Sequence, residues 1–238
     1  RTQIVGEITP QTEEQAQRVK EFMNYQITYE MEEYDHELDQ MLFHLPLAGS
    51  SFKKVYYESA KDRAVSKFVP AEDVVIPYTA TDLESCERIT HVVKIMGNEL
   101  RKKQINGMYR DVDITPSSVD NNDAQDKYDE LDGVSETQNA EDIVLLEFHC
   151  DLDIPGFEDK NVTTGEATGI KLPYVVTVDE GTNKVLSIYR NYRQGDPLRK
   201  KIQYFVHYKF LPGLGFYGFG LIHMLGGLSR TATSALRQ

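Results

Sequence analysis

The sequence contains no tryptophan, only two cysteines in 238 residues and no excess of basic residues. Cys86 and Cys150 stand far apart and match neither a disulfide framework nor the paired spacing of a metal site, so we expect reduced thiols. Lys and Arg total 26 against 38 Asp and Glu, and the formal net charge of -12 argues against a protein that coats nucleic acid. With 40% hydrophobic and 27% charged residues, the composition is that of a soluble globular protein.

The charge is unevenly distributed along the chain. Between Asp111 and Asp142 there are eleven acids and one base, a local net charge of -10, whereas the other 206 residues carry only about -2. A segment this acidic and this poor in apolar residues is typical of a solvated surface linker. The spacing of Ala124, Tyr128 and Leu131 allows one short helix within it, and the ligand order of a calcium-binding loop is absent. We therefore divide the chain into residues 1–110, an acidic insert or linker at 111–142, and a β-rich part at 143–238.

Hydrophobic periodicity predicts an α+β fold with helices at both ends. Two apolar stripes at helical spacing predict two helices, or one bent helix, over roughly 12–46, and we expect both stripes to face a core: Val19, Phe22 and Met23, then Tyr34, Leu38, Met41, Leu42 and Leu45. Period-two patterns and turn residues then predict a hairpin, an edge strand, a further strand and a short basic helix, at 52–58 with 64–69, 74–78, 89–95 and 98–105. Beyond the insert, four strands and a last helix are predicted at 143–154, 172–178, 184–189, 202–211 and from about 220.

Glycine is concentrated directly before the last helix, in residues 212–220. A strand, a glycine loop and a helix in that order form phosphate sites in many enzymes, so a nucleotide- or phosphate-binding enzyme using residues 213–220 is the alternative function. However, no Lys-Ser/Thr pair follows Gly220, and no ribose-binding acid follows the glycines. The interleaved aromatic residues instead predict a loop that packs closely against another backbone. Five residues are candidates for such packing between subunits: Gly213, Gly215, Phe216, Tyr217 and Gly218.

Basic residues are concentrated between two predicted strands. Five of them fall within twelve positions: Arg190, Arg193, Arg199, Lys200 and Lys201. In a chain whose total charge is acidic, such a loop can bind the phosphate backbone of DNA or meet an acidic neighbouring subunit. A solvated loop is the simpler alternative.

No pattern in the sequence points to a catalytic residue, a cofactor or a metal ion. The six histidines are scattered, and the adjacent His149 and Cys150 point to opposite faces of a strand. The apolar stretch 204–228 contains glycines and charged residues that are costly in a bilayer, so no membrane partner is expected. Three acids alternate along one predicted strand, Glu147, Asp151 and Asp153, so their carboxylates could be aligned on one face of the strand. An ordinary solvent-facing side of the strand explains them equally well.

Seven short segments have characteristic amino-acid sequences, and they are distributed over nearly the whole chain. They are FHLPLAGS (43–50), KFVPAED (67–73), DLESC (82–86), THV (90–92), NELRK (98–102), GIKLPY (169–174) and YFVHYKFLPGLGFYG (204–218). These segments resemble portal proteins of short-tailed bacteriophages of the P22-like group. The acidic insert is the part that matches least.

The resemblance implies a structural protein without catalytic residues. Such portals form a homo-oligomeric ring, typically a dodecamer, at one capsid vertex of the virion, and assemble in the host cytoplasm. The implied partners are terminase, capsid and scaffolding proteins, tail or head-completion proteins, and double-stranded DNA that passes through the channel without sequence specificity. The chain starts without methionine and stops at Gln238 inside a helical pattern. We therefore expect a fragment, and the resemblance implies that it covers the wing and the approach to the stem.

Overall fold

The computed structural model describes residues 10–59, 61–114, 142–160 and 165–237. Contacts divide the chain into two compact units, each of which combines segments that are distant in sequence. Unit 1 comprises residues 1–72, 81–83 and 203–238, and unit 2 comprises residues 73–80 and 84–202. Most of the predicted acidic insert, including the short helix proposed at Ala124, Tyr128 and Leu131, lies outside the described residues.

Unit 1 is built on an antiparallel sheet of three strands in the order β2-β1-β8. The strands are β1 (Ser50–Glu58), β2 (Arg63–Pro70) and β8 (Phe205–Lys209). Strands β1 and β2 form the predicted hairpin, and β1 also pairs with β8, so Phe52 lies opposite both Val69 and His207. The helices of the unit are α1 (Pro10–Tyr25), α2 (Tyr34–Ala48) and α4 (Leu221–Arg237).

Helix α2 packs on this sheet through much of its predicted stripe. Met41 is buried, and the Glu37 carboxylate accepts a hydrogen bond of 2.6 Å from the backbone N–H of Phe68 on the edge strand β2. The helix continues through Pro46 and ends at Gly49, whose φ of 85° turns the chain out of the helix. The C-terminal end of α2 is therefore fixed directly before β1 begins.

The apolar stripe of α1 does not face a core, so that expectation was wrong. Val19, Phe22 and Met23 are 51%, 58% and 43% exposed, and Leu42 of α2 is exposed as well. A single π-helical turn, Gln26–Glu30, follows α1, and the described contacts of α1 are mainly with this turn. Helical spacing reports that a helix has an apolar side, but it does not report what covers that side.

Unit 2 is built on an antiparallel sheet of five strands in the order β3-β4-β5-β6-β7. The strands are β3 (Val74–Val75), β4 (Arg88–Met96), β5 (Asp142–Leu152), β6 (Leu172–Asp179) and β7 (Val185–Arg190), and helix α3 (Gly97–Ile105) follows β4. The short strand β3 lies at an edge, as its neighbouring prolines indicated.

Both faces of the unit 2 sheet carry apolar clusters. Because successive residues of a strand point to opposite faces, Leu145 and its neighbours form one cluster and Val176 and its neighbours form the other. The first cluster joins the sheet to α3: Ile95, Leu100, Ile143, Leu145 and Leu186. The second lies on the other face: Leu172, Tyr174 and Val176, with Phe148 and Tyr192 packed against them.

The predicted fold class is confirmed. The described chain is α+β, with N-terminal helices, two antiparallel sheets, a short helix and a C-terminal helix. The largest difference in length is in the last strand, which was predicted at 202–211 and spans Phe205–Lys209. Across the described ranges, no helix has the length and apolar character needed to cross a bilayer.

Candidate functional site

The glycine-rich loop, residues 212–220, lies against the C-terminal end of α2. A Cβ atom on Gly218 would lie 2.5 Å from the Gly49 oxygen, and one on Gly220 would lie 2.2 Å from the Leu47 oxygen. A Cβ atom on Gly49 would lie 2.3 Å from the Gly220 nitrogen. Side chains do not fit at such distances, so these positions require glycine. The prediction of close packing against another backbone is confirmed, and we call the contact of Gly49 with Gly218 and Gly220 the glycine clasp.

Several N–H groups of the loop are already hydrogen-bonded within the chain. The N–H of Gly218 donates to Ser50 Oγ at 2.8 Å, that of Phe219 to the Leu211 oxygen at 2.8 Å, and that of Gly220 to His223 Nδ1 at 3.2 Å. A phosphate-binding loop keeps such groups directed at its ligand. The geometry therefore disfavours the alternative of a nucleotide site at 213–220.

An aromatic stack holds the same loop on the sheet. The His207 ring lies between Phe52 and Phe216, with centroid distances of 4.5 Å and 4.6 Å and nearly parallel planes. Its Nε2 atom is 3.1 Å from Ser50 Oγ, the atom that accepts from Gly218. Burial, with a smaller effect of the Lys209 charge, lowers the pKa of His207 from 6.5 to about 4. The imidazole is therefore neutral at pH 7 and is part of the packing.

The five candidate packing residues have different surroundings. Phe216 is buried in the stack, Gly218 is part of the clasp, and a Cβ atom on Gly213 would lie 2.3 Å from the Tyr217 oxygen. Gly215 has open space around it, and Tyr217 is 44% exposed. Four of the five thus have contacts within the chain, because the Tyr217 ring also meets the Phe216 ring edge-on at a centroid distance of 5.1 Å, and only Gly215 has open space around its Cβ position.

Of the five predicted basic residues, Arg190 is the last residue of β7 and the other four follow it in unit 2, and three of the five have intramolecular partners. The Arg190 guanidinium lies 5.9 Å from the centroid of the Phe157 ring. Arg199 forms an ion pair with Asp159, and Lys201 Nζ donates to the Cys86 oxygen at 2.8 Å. The sequence did not indicate these contacts, because their partners are as many as 115 residues away.

Sequence reasoning missed a buried polar cluster on the unit 2 sheet. His149 Nε2 lies 2.6 Å from Glu147 Oε1, and the two side chains are only 4% and 17% exposed. Burial and the nearby Glu147 charge raise the pKa of Tyr109 to about 12. The spacing of two residues along a predicted strand was the available signal, since it puts Glu147 and His149 on one face. Asp151 and Asp153, by contrast, are exposed.

The thiols and the acids of the described chain form no evident reactive centre. Cys86 and Cys150 are both free, and burial together with Asp151 raises the pKa of Cys150, which lowers its reactivity. An open cavity of about 480 Å³ beside Cys150 carries balanced charges, from Glu87, Asp151, Arg88 and Lys171. Within the described ranges, no group of three or more His, Cys, Asp or Glu side chains could hold a metal ion.

Comparison with known proteins gives no assignment. No protein-family model matches the chain, and no curated protein matches it either. The segment resemblance to phage portal proteins therefore stays a prediction.

Proposed function

We propose that this chain is the wing-like part of a bacteriophage portal protein, a structural subunit of a ring at one capsid vertex. In that role the ring is the channel for DNA packaging and ejection and the docking site for terminase and the tail. The observation that carries the proposal is helix α4, which begins at the glycine clasp and leaves its apolar side uncovered.

Helix α4 has no buried residue. Its apolar side chains recur at helical spacing and are strongly exposed: Ile222, Met224, Leu225, Leu228 and Leu236, at 58%, 43%, 53%, 69% and 89%. A contiguous exposed stripe of this kind marks an interaction surface. The fixed start of the helix supports a geometrically defined assembly, because the clasp leaves no room to shift the backbone at Gly220.

Beside this stripe, α4 has an open, shallow groove lined by Gly226, Ser229, Thr233 and Ser234 and by two cations, Arg230 and Arg237. Nothing lies within 4 Å of a Cβ atom placed on Gly226 or Gly227. Glycine inside a solvated helix costs about 1 kcal/mol relative to alanine. A neighbouring helix that approaches closely would offset this cost. One chain thus carries both an apolar ridge and a groove on α4, and repeated head-to-tail contacts between two such surfaces form a ring when the rotation from one subunit to the next closes.

The placement of the resembling segments also supports the proposal. Residues 43–50 and 204–218 carry much of the resemblance, and they are more than 150 positions apart in the sequence. They meet in the glycine clasp, where Ser50 Oγ accepts from the Gly218 N–H. The characteristic sequences thus occur where two segments that are distant in the chain must pack closely against each other.

The test is the mass and shape of the full-length protein. We expect closed rings by native mass measurement and negative-stain microscopy, and a double change of Leu225→Arg and Leu228→Arg should prevent them. Ile170→Arg is the matched control, because Ile170 is 58% exposed but lies in unit 2. Only monomer across micromolar concentrations of the unchanged full-length protein would refute the ring.

A further inference from the structure

The basic loop, residues 190–201, starts at the last residue of β7 and concentrates positive charge on an otherwise acidic chain. It contains five basic residues and a single acid, Asp196. The Asp196 carboxylate accepts hydrogen bonds from the backbone N–H groups of Leu198 and Lys200, at 3.0 Å and 3.1 Å. Its negative charge is therefore directed at the loop backbone.

The same contacts give the loop a defined shape. The N–H of Asp196 donates to the Arg193 oxygen at 3.2 Å, and the N–H of Arg199 donates to the Asp196 oxygen at 3.1 Å, so two turns follow each other. The ion pair of Arg199 with Asp159 and the hydrogen bond from Lys201 to Cys86 fasten the end of the loop to the rest of unit 2. A loop that is ordered before binding loses less conformational entropy when a ligand arrives.

Two of the five cations are left for an external ligand. Arg193 and Lys200 are exposed, and neither side chain has a hydrogen bond or ion pair with any described residue. They flank the two turns, one before Asp196 and one after it. Of the partnered cations, Arg190 and Lys201 keep an unbalanced charge because their partners are a ring and a carbonyl oxygen, whereas the charge of Arg199 is balanced by Asp159.

Two described residues of the acidic insert lie near the opposite end of the unit 2 sheet. They are Ile114, which packs with the cluster that contains Ile143, and Asp142, which pairs with Met96. The basic loop begins at Arg190, which lies in register with Tyr174 and, through it, with Cys150. Cys150 lies eight positions beyond Asp142 along β5, or about 27 Å at the rise of a strand. The fold thus separates the start of the basic loop from the borders of the acidic segment.

We propose that the loop 190–201 is a binding surface for the phosphodiester backbone of a nucleic acid, with Arg193 and Lys200 as the contacting residues. A duplex presents closely and regularly spaced phosphates, so neighbouring cations on one ordered loop engage the same polymer without reading its sequence. The inference goes beyond the proposed function, since a single chain carries this surface whether or not it forms a ring.

The test is binding of a fluorescein-labelled 20-base-pair duplex to the 238-residue chain, followed by anisotropy between 50 and 200 mM salt. Neutralising both residues with Arg193→Gln and Lys200→Gln should weaken binding at 50 mM salt about tenfold. It should also reduce the slope of log affinity against log salt by about 2, and a second duplex of unrelated sequence should behave in the same way.

The matched control is Lys94→Gln with Lys102→Gln, which removes the same charge from exposed positions elsewhere in unit 2. Its affinity should stay within twofold of the unchanged chain, and circular dichroism should be the same for all variants. Equal losses in both double variants, or none in the loop variant, would overturn the proposal. Displacement of the duplex by polyglutamate at equal charge concentration would overturn it too, in favour of an acidic protein partner.

Discussion

The two units have similar numbers of described residues but differ in where their apolar side chains lie. Of the 19 buried hydrophobic residues, twelve belong to unit 2 and seven to unit 1. Of the 30 large hydrophobic or aromatic residues that are exposed, 21 belong to unit 1 and nine to unit 2. Unit 2 is thus supported by apolar clusters of its own, whereas unit 1 presents much of its apolar surface to whatever surrounds the chain.

The interior of unit 1 also relies on polar and backbone contacts. Lys53 is only 4% exposed, its ammonium lies 4.3 Å from the centroid of the Tyr34 ring, and burial lowers its pKa. The glycine clasp and the stack on His207 join the loop and α4 to the sheet of this unit. The comparison therefore predicts that unit 1 is sensitive to small backbone and charge changes that leave unit 2 unaffected.

The largest effect is expected at the clasp. Gly49→Ala adds a Cβ atom within 2.6 Å of three backbone atoms, at a φ of 85° that side chains rarely adopt. Overpacking and backbone strain together should lower the free energy of unfolding of unit 1 by about 4 kcal/mol. Hydrogen exchange should show β1 and β8 losing protection while β4, β5 and β6 keep theirs.

The control for the clasp is Gly215→Ala in the same loop. Gly215 has no atom within 4 Å of its Cβ position, so we expect a change of at most about 0.5 kcal/mol. If Gly49→Ala removed protection equally from both units, the two units would unfold in one step. Their different apolar packing would then not correspond to different stabilities.

A smaller effect is expected from pH. The pKa of His207 is about 4 in the folded chain and 6.5 without the fold, so the unfolded chain binds more protons between these values and stability falls as pH falls. Because the ring is only partly buried, we discount the full shift and expect unit 1 to lose about 1 kcal/mol between pH 7 and pH 5. Glu33, whose pKa is lowered from 4.5, contributes its own loss only at lower pH.

The measurement is the denaturant midpoint of unit 1 at pH 7 and pH 5, with His207→Phe as the matched variant. Phenylalanine keeps an aromatic ring between Phe52 and Phe216 but does not titrate. Its stability should therefore vary less over this range than that of the unchanged chain. The same pH dependence in His207→Phe would assign the loss to other groups.

Local patterns were sufficient to predict most elements of the fold. The hairpin of β1 and β2, the edge position of β3 and the helix that starts after Gly220 follow from residue spacing, prolines and glycines within short windows. The close packing of the glycine loop was also predictable, because glycines interleaved with aromatic residues favour backbone contact.

Long-range partners were not predictable from the same patterns. Nothing near residue 218 indicates that its partner is Gly49, and nothing near Arg199 indicates Asp159. These pairings depend on how separate strands assemble, which spacing within one segment does not report. The expectation that the apolar stripe of α1 faces a core was wrong for the same reason, since the surface that covers a helix depends on the whole fold and not on the helix alone.

The smallest change in stability is expected at α4 of unit 1. Gly226→Ala should stabilise this helix in the 238-residue chain by about 1 kcal/mol, because alanine restricts the unfolded chain and its methyl group meets no atom within 4 Å. In the ring that we propose for a full-length protein, the same methyl group would enter the groove proposed for a neighbouring helix and should lower the yield of closed rings. Hydrogen exchange of α4 in the short chain and native mass measurement of the full-length protein read out the two effects. A gain in helix protection together with an unchanged ring yield would show that the groove of Gly226, Ser229 and Thr233 is not a helix-packing surface, and the ring would then depend on the apolar stripe of α4 alone.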